Sequence, residues 1–168
     1  MAEREVSFRP DAANARAFRD ALGAFTTGVT VVTCDSEAGP LGMTANSFSS
    51  VSLDPPLVLW SPARASRRCQ AFEAAEHFAI HILADDQRYY CDVFATEGRN
   101  FDGLNWHLSA NGVPLIEGCL ARFECTRRAV HDGGDHVIIV GRVNAVSARK
   151  GRPLVFCEGQ YGAFRKME

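Results

Sequence analysis

The chain has 168 residues, of which 46% are hydrophobic and 23% are charged, a composition typical of a globular domain rather than a disordered or fibrous protein. Its net charge of −2, from 18 basic and 20 acidic residues, gives no electrostatic reason to expect nucleic acid or an anionic membrane as a partner. The amino terminus lacks the basic start and apolar run of a secretory signal, and no run of about 18 apolar residues occurs, so we expect a cytoplasmic protein.

The sequence contains six cysteines but no C-x-x-C pair, which argues against a zinc ribbon or a thioredoxin-type redox site. A chain of this size does not need disulfides to fold, so we expect free thiols. The six positions are Cys34, Cys69, Cys91, Cys119, Cys125 and Cys157.

We interpret residues 1–168 as one domain, with residues 1–10 as a flexible N-terminal arm. The next segment, residues 11–22, predicts a helix, because Asp11 is a suitable N-cap and apolar residues recur at helical spacing. Gly23 is expected to end it.

The β-branched residues 28–33 predict a strand, and the turn-forming residues 35–40 are expected to reverse it. Residues 42–60 would then supply the returning strand and lead into a further strand at residues 57–60. This pattern favours a largely antiparallel β-structure.

The segment 42–60, GMTANSFSSVSLDPPLVLW, has the densest hydroxyl and amide chemistry in the chain. It can present a row of hydrogen-bonding groups to a ligand, and Pro55 and Pro56 would fix the end of that row. A serine-rich surface strand is an alternative that the residues alone leave open.

Within residues 61–76, the sequence predicts a short helix that extends through Ala75, with Ser66 as a possible N-cap. Arg64, Arg67 and Arg68 cluster near its start, although basic side chains are favoured at the opposite end of a helix. An anion bound at this end would explain the cluster, whereas three solvated arginines are the alternative.

Residues 77–83 predict a strand, in which His77 and His81 would stand roughly 13 Å apart and so could not share a metal ion. A capped helix is expected at residues 85–95. Residues 96–112 are expected to be loop-rich and to contain aromatic residues.

The rest of the chain again predicts strands, with a hairpin formed by residues 121–127 and 136–143 around a turn at 132–135. Two further strands are expected at residues 153–156 and 159–164.

His136 begins a predicted strand directly after the tight turn, where Asp135 could orient its ring toward a cleft. A structural role for this histidine is the alternative. The sequence has neither a G-x-G-x-x-G nor a P-loop motif, so a nucleotide cofactor would have to bind to β-structure.

Four sequence blocks, in order along nearly the whole chain, resemble the short-chain flavin reductases. These blocks are FRDALGAFTTGVTVVT at 18–33, GMTANSFSSVSLDPPLVL at 42–59, GDH at 134–136 with VIIVGRV, and PLVFCEGQYG at 153–162. The family comprises the NAD(P)H:flavin oxidoreductase components of two-component monooxygenases. The resemblance implies a mainly β, antiparallel fold with flanking helices, the FMN-binding split β-barrel.

The resemblance also implies the site residues. Those expected to line the flavin are Thr44, Ala45, Asn46 and Ser47, with Ser50, Val51 and Ser52 beside them. Those expected to hold its phosphate are Ser61, Ser66 and Arg67. His136 is implied as the catalytic residue at the nicotinamide end, with Tyr161 in the same region, and Phe101 matches an aromatic residue near the flavin.

The implied reaction is hydride transfer from NADH, or NADPH, to FAD or FMN, which leaves reduced for a partner monooxygenase. The resemblance further implies a homodimer with the flavin near the subunit interface. Three alternatives remain: a flavoprotein of this fold that retains FMN and acts on another substrate, a non-catalytic flavin-binding module, and a hydrolase using a serine of residues 47–52 with His136. The hydrolase would lack the G-x-S-x-G elbow.

Overall fold

The computed structural model describes residues 5–167. The first four residues of the predicted N-terminal arm, and residue 168, therefore lie outside the described part. Residues 5–10 are exposed and have no helix or strand.

Antiparallel strands account for most of the regular structure of the described residues. The strands are β1 Thr27–Gly28, β2 Thr30–Ser36, β3 Gly39–Ala45, β4 Ser49–Leu53, β5 Pro56–Trp60, β6 His77–Ile82, β7 Trp106–Leu108, β8 Pro114–Ile116, β9 Ala121–Gly133, β10 His136–Ala148, β11 Leu154–Cys157 and β12 Gln160–Ala163. The α-helices are α1 Ala15–Gly23, α2 Cys69–Ala74 and α3 Arg88–Thr96, and short 3₁₀ helices occupy Ala12–Asn14 and Asp85–Gln87.

The main sheet has seven strands in the order β3-β2-β6-β9-β10-β5-β4. A three-stranded sheet, β1-β11-β12, and a two-stranded sheet, β7-β8, accompany it. Every strand pair is antiparallel, which confirms the predicted mainly antiparallel β-fold. The edge strands β3 and β4 do not pair with each other, so the main sheet is not closed and the predicted barrel is not confirmed.

Two large hydrophobic clusters hold the described residues together. The first packs the inner faces of the main sheet against α2, with Trp60 and Phe72 in edge-to-face contact at 4.9 Å between ring centroids. Each such buried side chain contributes about 1.5–3 kcal/mol. The second lies under α3 and includes Val29, Cys91 and Phe94. This second cluster supports the candidate site described below.

The predicted hairpin near the end of the chain is confirmed, but its strands β9 and β10 are 13 residues long instead of the seven and eight expected. Beyond residue 126, β9 no longer pairs with β6, and this outer part carries several exposed polar residues. An alternation of apolar and polar residues therefore could not predict this part of the strand. The hairpin turns at Gly134 and Asp135, with Gly134 at φ +76°. A two-residue hairpin turn with positive φ at the first central residue, but not at the second, is a type II′ turn. Glycine is the residue that suits this first position.

The helix predicted at residues 11–22 exists, but α1 starts at Ala15 after a 3₁₀ turn that Asp11 caps through Ala13 N–H at 2.8 Å and Asn14 N–H at 3.1 Å. The apolar side of α1 is exposed, since Leu22 retains 60% of its accessible surface.

One prediction about local structure is wrong. Ser66 is not the N-cap of α2, which begins only at Cys69 and spans six residues, because Ser66 belongs to the preceding turn and its carbonyl accepts from Cys69 N–H at 3.0 Å. The segment 96–112, predicted to be loop-rich, consists mostly of turns and irregular structure, but it also contains β7, in which Trp106 pairs with Ile116. A three-residue strand is too short for its alternation to be recognised.

Within residues 5–167, no helix has the length and apolar character needed to cross a membrane.

Candidate functional site

A cavity of about 250 Å³, cleft A, opens beside the end of β3. Its lining residues are Val29, Thr44, Ala45, Asn46, Ala95, Phe156 and Tyr161. Four of the residues implied by the family resemblance are therefore brought together here, three from the end of β3 and its continuation and one, Tyr161, from β12. That they contact a flavin remains a prediction.

A second cavity of about 230 Å³, cleft B, shares Asn46 with cleft A. Its lining residues are Phe25, Thr26, Thr27, Gly28, Thr30, Asn46, Phe48 and Ile82. The Asn46 side chain carries both a donor and an acceptor group and lines both cavities. Asn46 is thus placed to contact ligands in either cleft.

The end of β3 is held in place by hydrogen bonds from threonine hydroxyls. Thr44 Oγ1 donates to the carbonyl oxygen of Cys91 at 2.7 Å, which ties β3 to α3. Thr30 Oγ1 donates to the carbonyl oxygen of Ala45 at 2.6 Å. Because a hydroxyl has a single hydrogen, Thr44 can offer only acceptor lone pairs to a ligand in cleft A.

Tyr161 is held on several sides. Its ring centroid lies 5.0 Å from that of Phe156, and the guanidinium carbon of Arg88 lies 3.8 Å from the same centroid. The Cys91 thiol donates to the phenol oxygen at 3.1 Å. Burial raises the pKa of Tyr161 to about 12, so the phenol stays protonated at neutral pH.

Ser47, also implied as a flavin contact, makes two hydrogen bonds to Ser61. Its hydroxyl donates to the Ser61 carbonyl oxygen at 3.0 Å and accepts from Ser61 N–H at 2.9 Å. It lines neither cleft. The serine hydrolase alternative gains no support, since this hydroxyl is bound to backbone while His136 is bound to Asp135.

The predicted residues of β4 also lie outside the two clefts. Ser50 pairs with Val58 and Ser52 with Leu57, so a bulge leaves Val51 unpaired on the edge strand. Val51 is exposed.

Phe101 is a core residue with 6% of its surface accessible. Its ring packs between Phe94 and Trp106, with centroids 4.9 Å away in both cases. The structure therefore does not bring Phe101 to cleft A or cleft B.

The three arginines near α2 have different surroundings. Arg64 Nη2 lies 2.7 Å from Asp132 Oδ1 in the β9–β10 hairpin. The Arg68 guanidinium donates to three backbone carbonyl oxygens, those of Gly42, Phe94 and Ala95. Burial lowers the pKa of Arg68. Arg67 is exposed and has no polar partner among residues 5–167, so it is the cation of this cluster that remains available to an anion.

His136 starts β10 at the tip of the hairpin, and its Nδ1 lies 2.8 Å from Asp135 Oδ1. This hydrogen bond lowers the pKa of the Asp135 carboxyl group. The backbone of His136 bridges to Ala63, and Val137 N–H donates to the Pro62 carbonyl oxygen at 3.0 Å. His136 therefore lies beside the segment after β5, where the phosphate residues are predicted, and lines neither cleft.

Several residues that line the clefts were not singled out from the sequence. They are Val29, Ala95 and Phe156 in cleft A, and Phe25, Thr26, Thr27, Gly28, Thr30, Phe48 and Ile82 in cleft B. Most fall inside the sequence blocks that carry the family resemblance, so that signal could have pointed to them.

The chemistry of the lining residues fits a flavin ring. Both clefts are lined by apolar, aromatic, hydroxyl and amide side chains, and none of the lining residues is charged. Thr27 Oγ1, in a residue that lines cleft B, is buried without a hydrogen-bond partner in the described structure. A large uncharged heterocycle with hydrogen-bonding edges suits such a surface.

Comparison with known proteins agrees with this chemistry. The sequence model of the flavin reductase like domain matches residues 22–165. The chain is 58% identical over 162 residues to the FMN reductase (NADH) SmoA of Agrobacterium fabrum, covering 96% of this chain and 93% of that protein. It is 43% identical over 150 residues to HsaB, the reductase subunit of a flavin-dependent monooxygenase in Mycobacterium tuberculosis, covering 87% of this chain and 80% of that protein.

The fold is similar to that of the NADH:FAD oxidoreductase SgcE6 of Streptomyces globisporus, solved in complex with NAD and FAD fragments. The TM-score is 0.86 at 36% identity, and the match covers 95% of this chain and 98% of that chain. With most of its length matched by the family and by these relatives, the chain belongs to the flavin reductase family.

Proposed function

We propose that the protein is an NADH-dependent flavin reductase that transfers hydride from the nicotinamide to FMN or FAD. The observation that carries this proposal is the pair of uncharged clefts that meet at Asn46. Two adjoining cavities suit a reaction between two flat rings, because hydride transfer requires the rings to lie in contact.

A flavin in the site would supply the ring that accepts the hydride. Thr44, Ala45 and Asn46 would hold one edge of that ring, with Thr44 accepting a hydrogen bond and the Asn46 amide able to donate or accept. Tyr161 would close the opposite side of cleft A and keep water from the ring. No protein nucleophile is needed, because the ring carries the chemistry.

We assign His136 to the nicotinamide end. Its hydrogen bond to Asp135 fixes the ring of the histidine, which supports a positioning or proton-donating role. Ser50, Val51 and Ser52 keep their predicted place beside the flavin, although β4 reaches neither cleft in the isolated chain.

The flavin phosphate is proposed to bind at Ser61, Ser66 and Arg67. The exposed guanidinium of Arg67, which is free of the ion pairs and carbonyl contacts that engage Arg64 and Arg68, supports this assignment.

The architecture is proposed to be a split barrel. Ser47 follows β3 and Ser61 follows β5, so the hydrogen bonds between them connect regions near the two edges of the main sheet. A homodimer is proposed because α1 exposes Phe18, Leu22 and the adjacent Phe25, an apolar side that a second copy could cover.

The reduced flavin is proposed to diffuse to a partner monooxygenase. The name of HsaB, the reductase subunit of a flavin-dependent monooxygenase, supports a monooxygenase as the partner. A cytoplasmic location is proposed because all six cysteines are free thiols.

Steady-state oxidation of NADH by the purified protein, with FMN, FAD or riboflavin as acceptor and NADPH as the alternative donor, tests the proposal. Rapid turnover with micromolar, reversible flavin binding is expected. Flavin retained through purification without NADH turnover would instead favour the flavoprotein that acts on another substrate, and binding without any turnover would favour a non-catalytic module.

A further inference from the structure

Cys91 is hydrogen-bonded to two residues that line cleft A, Thr44 and Tyr161, although it does not itself line the cleft. It is fully buried in α3, its carbonyl oxygen accepts from Thr44 Oγ1 at 2.7 Å, and its thiol donates to the Tyr161 phenol oxygen at 3.1 Å. Thr44 belongs to β3 and Tyr161 to β12, which are far apart in sequence and lie in different sheets. One residue of α3 thus connects the two hydroxyl-bearing side chains of the cleft.

The Tyr161 ring is already restrained by its other neighbours. The guanidinium of Arg88 lies 3.8 Å from the ring centroid and is itself fixed by Asp92, with Nε 2.9 Å from Oδ1. Phe156 packs against the ring at a tilt of 59°. With the ring restrained, the rotation of the hydroxyl hydrogen is the freedom that remains.

The Cys91 thiol determines where that hydrogen points. When the thiol hydrogen occupies one side of the phenol oxygen, the hydrogen of the phenol itself is directed elsewhere, and Tyr161 lines cleft A. Burial raises the pKa of Cys91 and raises the pKa of Tyr161 to about 12, so both groups keep their hydrogens through the neutral range.

We propose that Cys91 is a positioning residue of the reductase site, whose thiol orients the Tyr161 hydroxyl as a hydrogen-bond donor into cleft A. This inference rests on the proposed reductase function. It assigns no chemical step to Cys91, which acts only through Tyr161.

The test compares Cys91→Ala with Tyr161→Phe and with the double variant. Cys91→Ala is expected to raise the Kd for flavin and to lower kcat/KM for flavin about 2- to 10-fold, the effect of one lost hydrogen bond in cleft A, with the KM for NADH little changed. In the Tyr161→Phe background the same substitution should have no further effect, because the hydroxyl on which it acts is gone.

Cys119→Ala is the matched control. Cys119 lies in the same hydrophobic cluster, but its thiol donates to the Ile116 carbonyl oxygen, at 3.7 Å, and lines neither cleft. We expect it to lose a similar amount of stability and to keep wild-type kinetics. Cys91→Val, which removes the donor and fills the space, replaces Cys91→Ala if the alanine variant does not fold.

An equal loss of activity from the Cys91 substitution with and without the Tyr161 hydroxyl would overturn the proposal. So would an equal loss in Cys119→Ala. Absence of NADH turnover in the wild-type protein would overturn the proposed function instead, so the two failures are distinguishable.

Discussion

The Ser47 hydroxyl and the Ser61 backbone exchange two hydrogen bonds, with the hydroxyl donating to the carbonyl oxygen at 3.0 Å and accepting from the N–H at 2.9 Å. Ser47→Ala leaves both backbone groups without their partner, so we expect the free energy of unfolding to fall by about 1–3 kcal/mol in urea denaturation. Ser49→Ala, at an exposed hydroxyl that donates to the Ser50 carbonyl oxygen at 3.2 Å, should change it by less than about 0.5 kcal/mol. Unchanged stability together with complete loss of activity and intact ligand binding would favour the hydrolase alternative.

Asn46 and His136 should affect different quantities. Asn46→Ala removes the side chain shared by both clefts, and we expect the Kd for flavin to rise about tenfold with a smaller effect on turnover. His136→Ala should lower NADH turnover about tenfold and leave flavin affinity nearly unchanged. Flavin fluorescence titration and NADH oxidation measure the two. Equal effects of both substitutions on both quantities would contradict the division of roles.

Arg67 should recognise the phosphate of the flavin. Arg67→Ala is expected to raise the Kd for FMN about tenfold and to leave the Kd for riboflavin, which has no phosphate, unchanged. Arg68→Met is the comparison, because it leaves three backbone carbonyl oxygens without their donor and should lower stability by about 2 kcal/mol. Equal weakening of FMN and riboflavin by Arg67→Ala would rule out a phosphate contact.

Gly42 allows β3 to pack closely against α3. A Cβ at this position would lie 2.4 Å from a ring carbon of Phe94, so Gly42→Ala forces the helix and the strand apart. We expect a loss of about 1–3 kcal/mol and weaker flavin binding, since the neighbouring residues line cleft A. Gly162→Ala, where the nearest atom would be 3.6 Å away, is the control and should be nearly neutral in thermal denaturation. A stable Gly42→Ala variant with normal affinity would refute the close packing.

His81 should make stability depend on pH. It is fully buried, its Nδ1 is 2.9 Å from the Val31 carbonyl oxygen, and its Nε2 accepts from Ile116 N–H at 3.1 Å. Burial lowers its pKa from 6.5 to about 3, so between these values the unfolded chain binds a proton that the folded chain does not. Stability contributed by neutral His81 is therefore present above pH 6.5 and is lost as the pH falls toward 3, by up to about 1.4 kcal/mol per pH unit.

Unfolding free energies measured between pH 7 and pH 5 check this. His81→Gln should reduce the slope of unfolding free energy against pH by the contribution of about one bound proton. His131→Gln, at an exposed position on β9, should leave this slope unchanged. An identical slope in His81→Gln would contradict the assignment.

Local patterns predicted the strands well where one face is buried. The β2–β3 hairpin and the start of β10 follow from β-branched runs and turn residues. Local patterns failed where tertiary contacts decide the outcome. Ser66 has the chemistry of an N-cap, yet α2 begins only at Cys69. The outer half of β9 pairs only with β10, and a polar sequence carries no signal for it.

The candidate site shows the same difference between what local sequence patterns predict and what tertiary contacts decide. Sequence blocks identified Thr44, Asn46 and Tyr161, which the fold brings to one cleft. They could not reveal that Phe101 packs in the core or that Arg68 binds carbonyl oxygens 26 residues away or more, because such contacts form only when distant elements pack together.

The hydrogen bond from the Thr44 hydroxyl to the Cys91 carbonyl oxygen determines which hydrogen-bonding groups of a ligand cleft A can accommodate at this point. Since the only hydrogen on the hydroxyl already points into the protein, a ring edge that meets it must bring a hydrogen of its own. An imide N–H would be accepted there, whereas an N-alkylated analogue or a bare carbonyl oxygen would meet oxygen lone pairs without a hydrogen to bridge them. A threonine hydroxyl can in general donate or accept a hydrogen bond, but the contact with α3 leaves the Thr44 hydroxyl able only to accept one from a ligand.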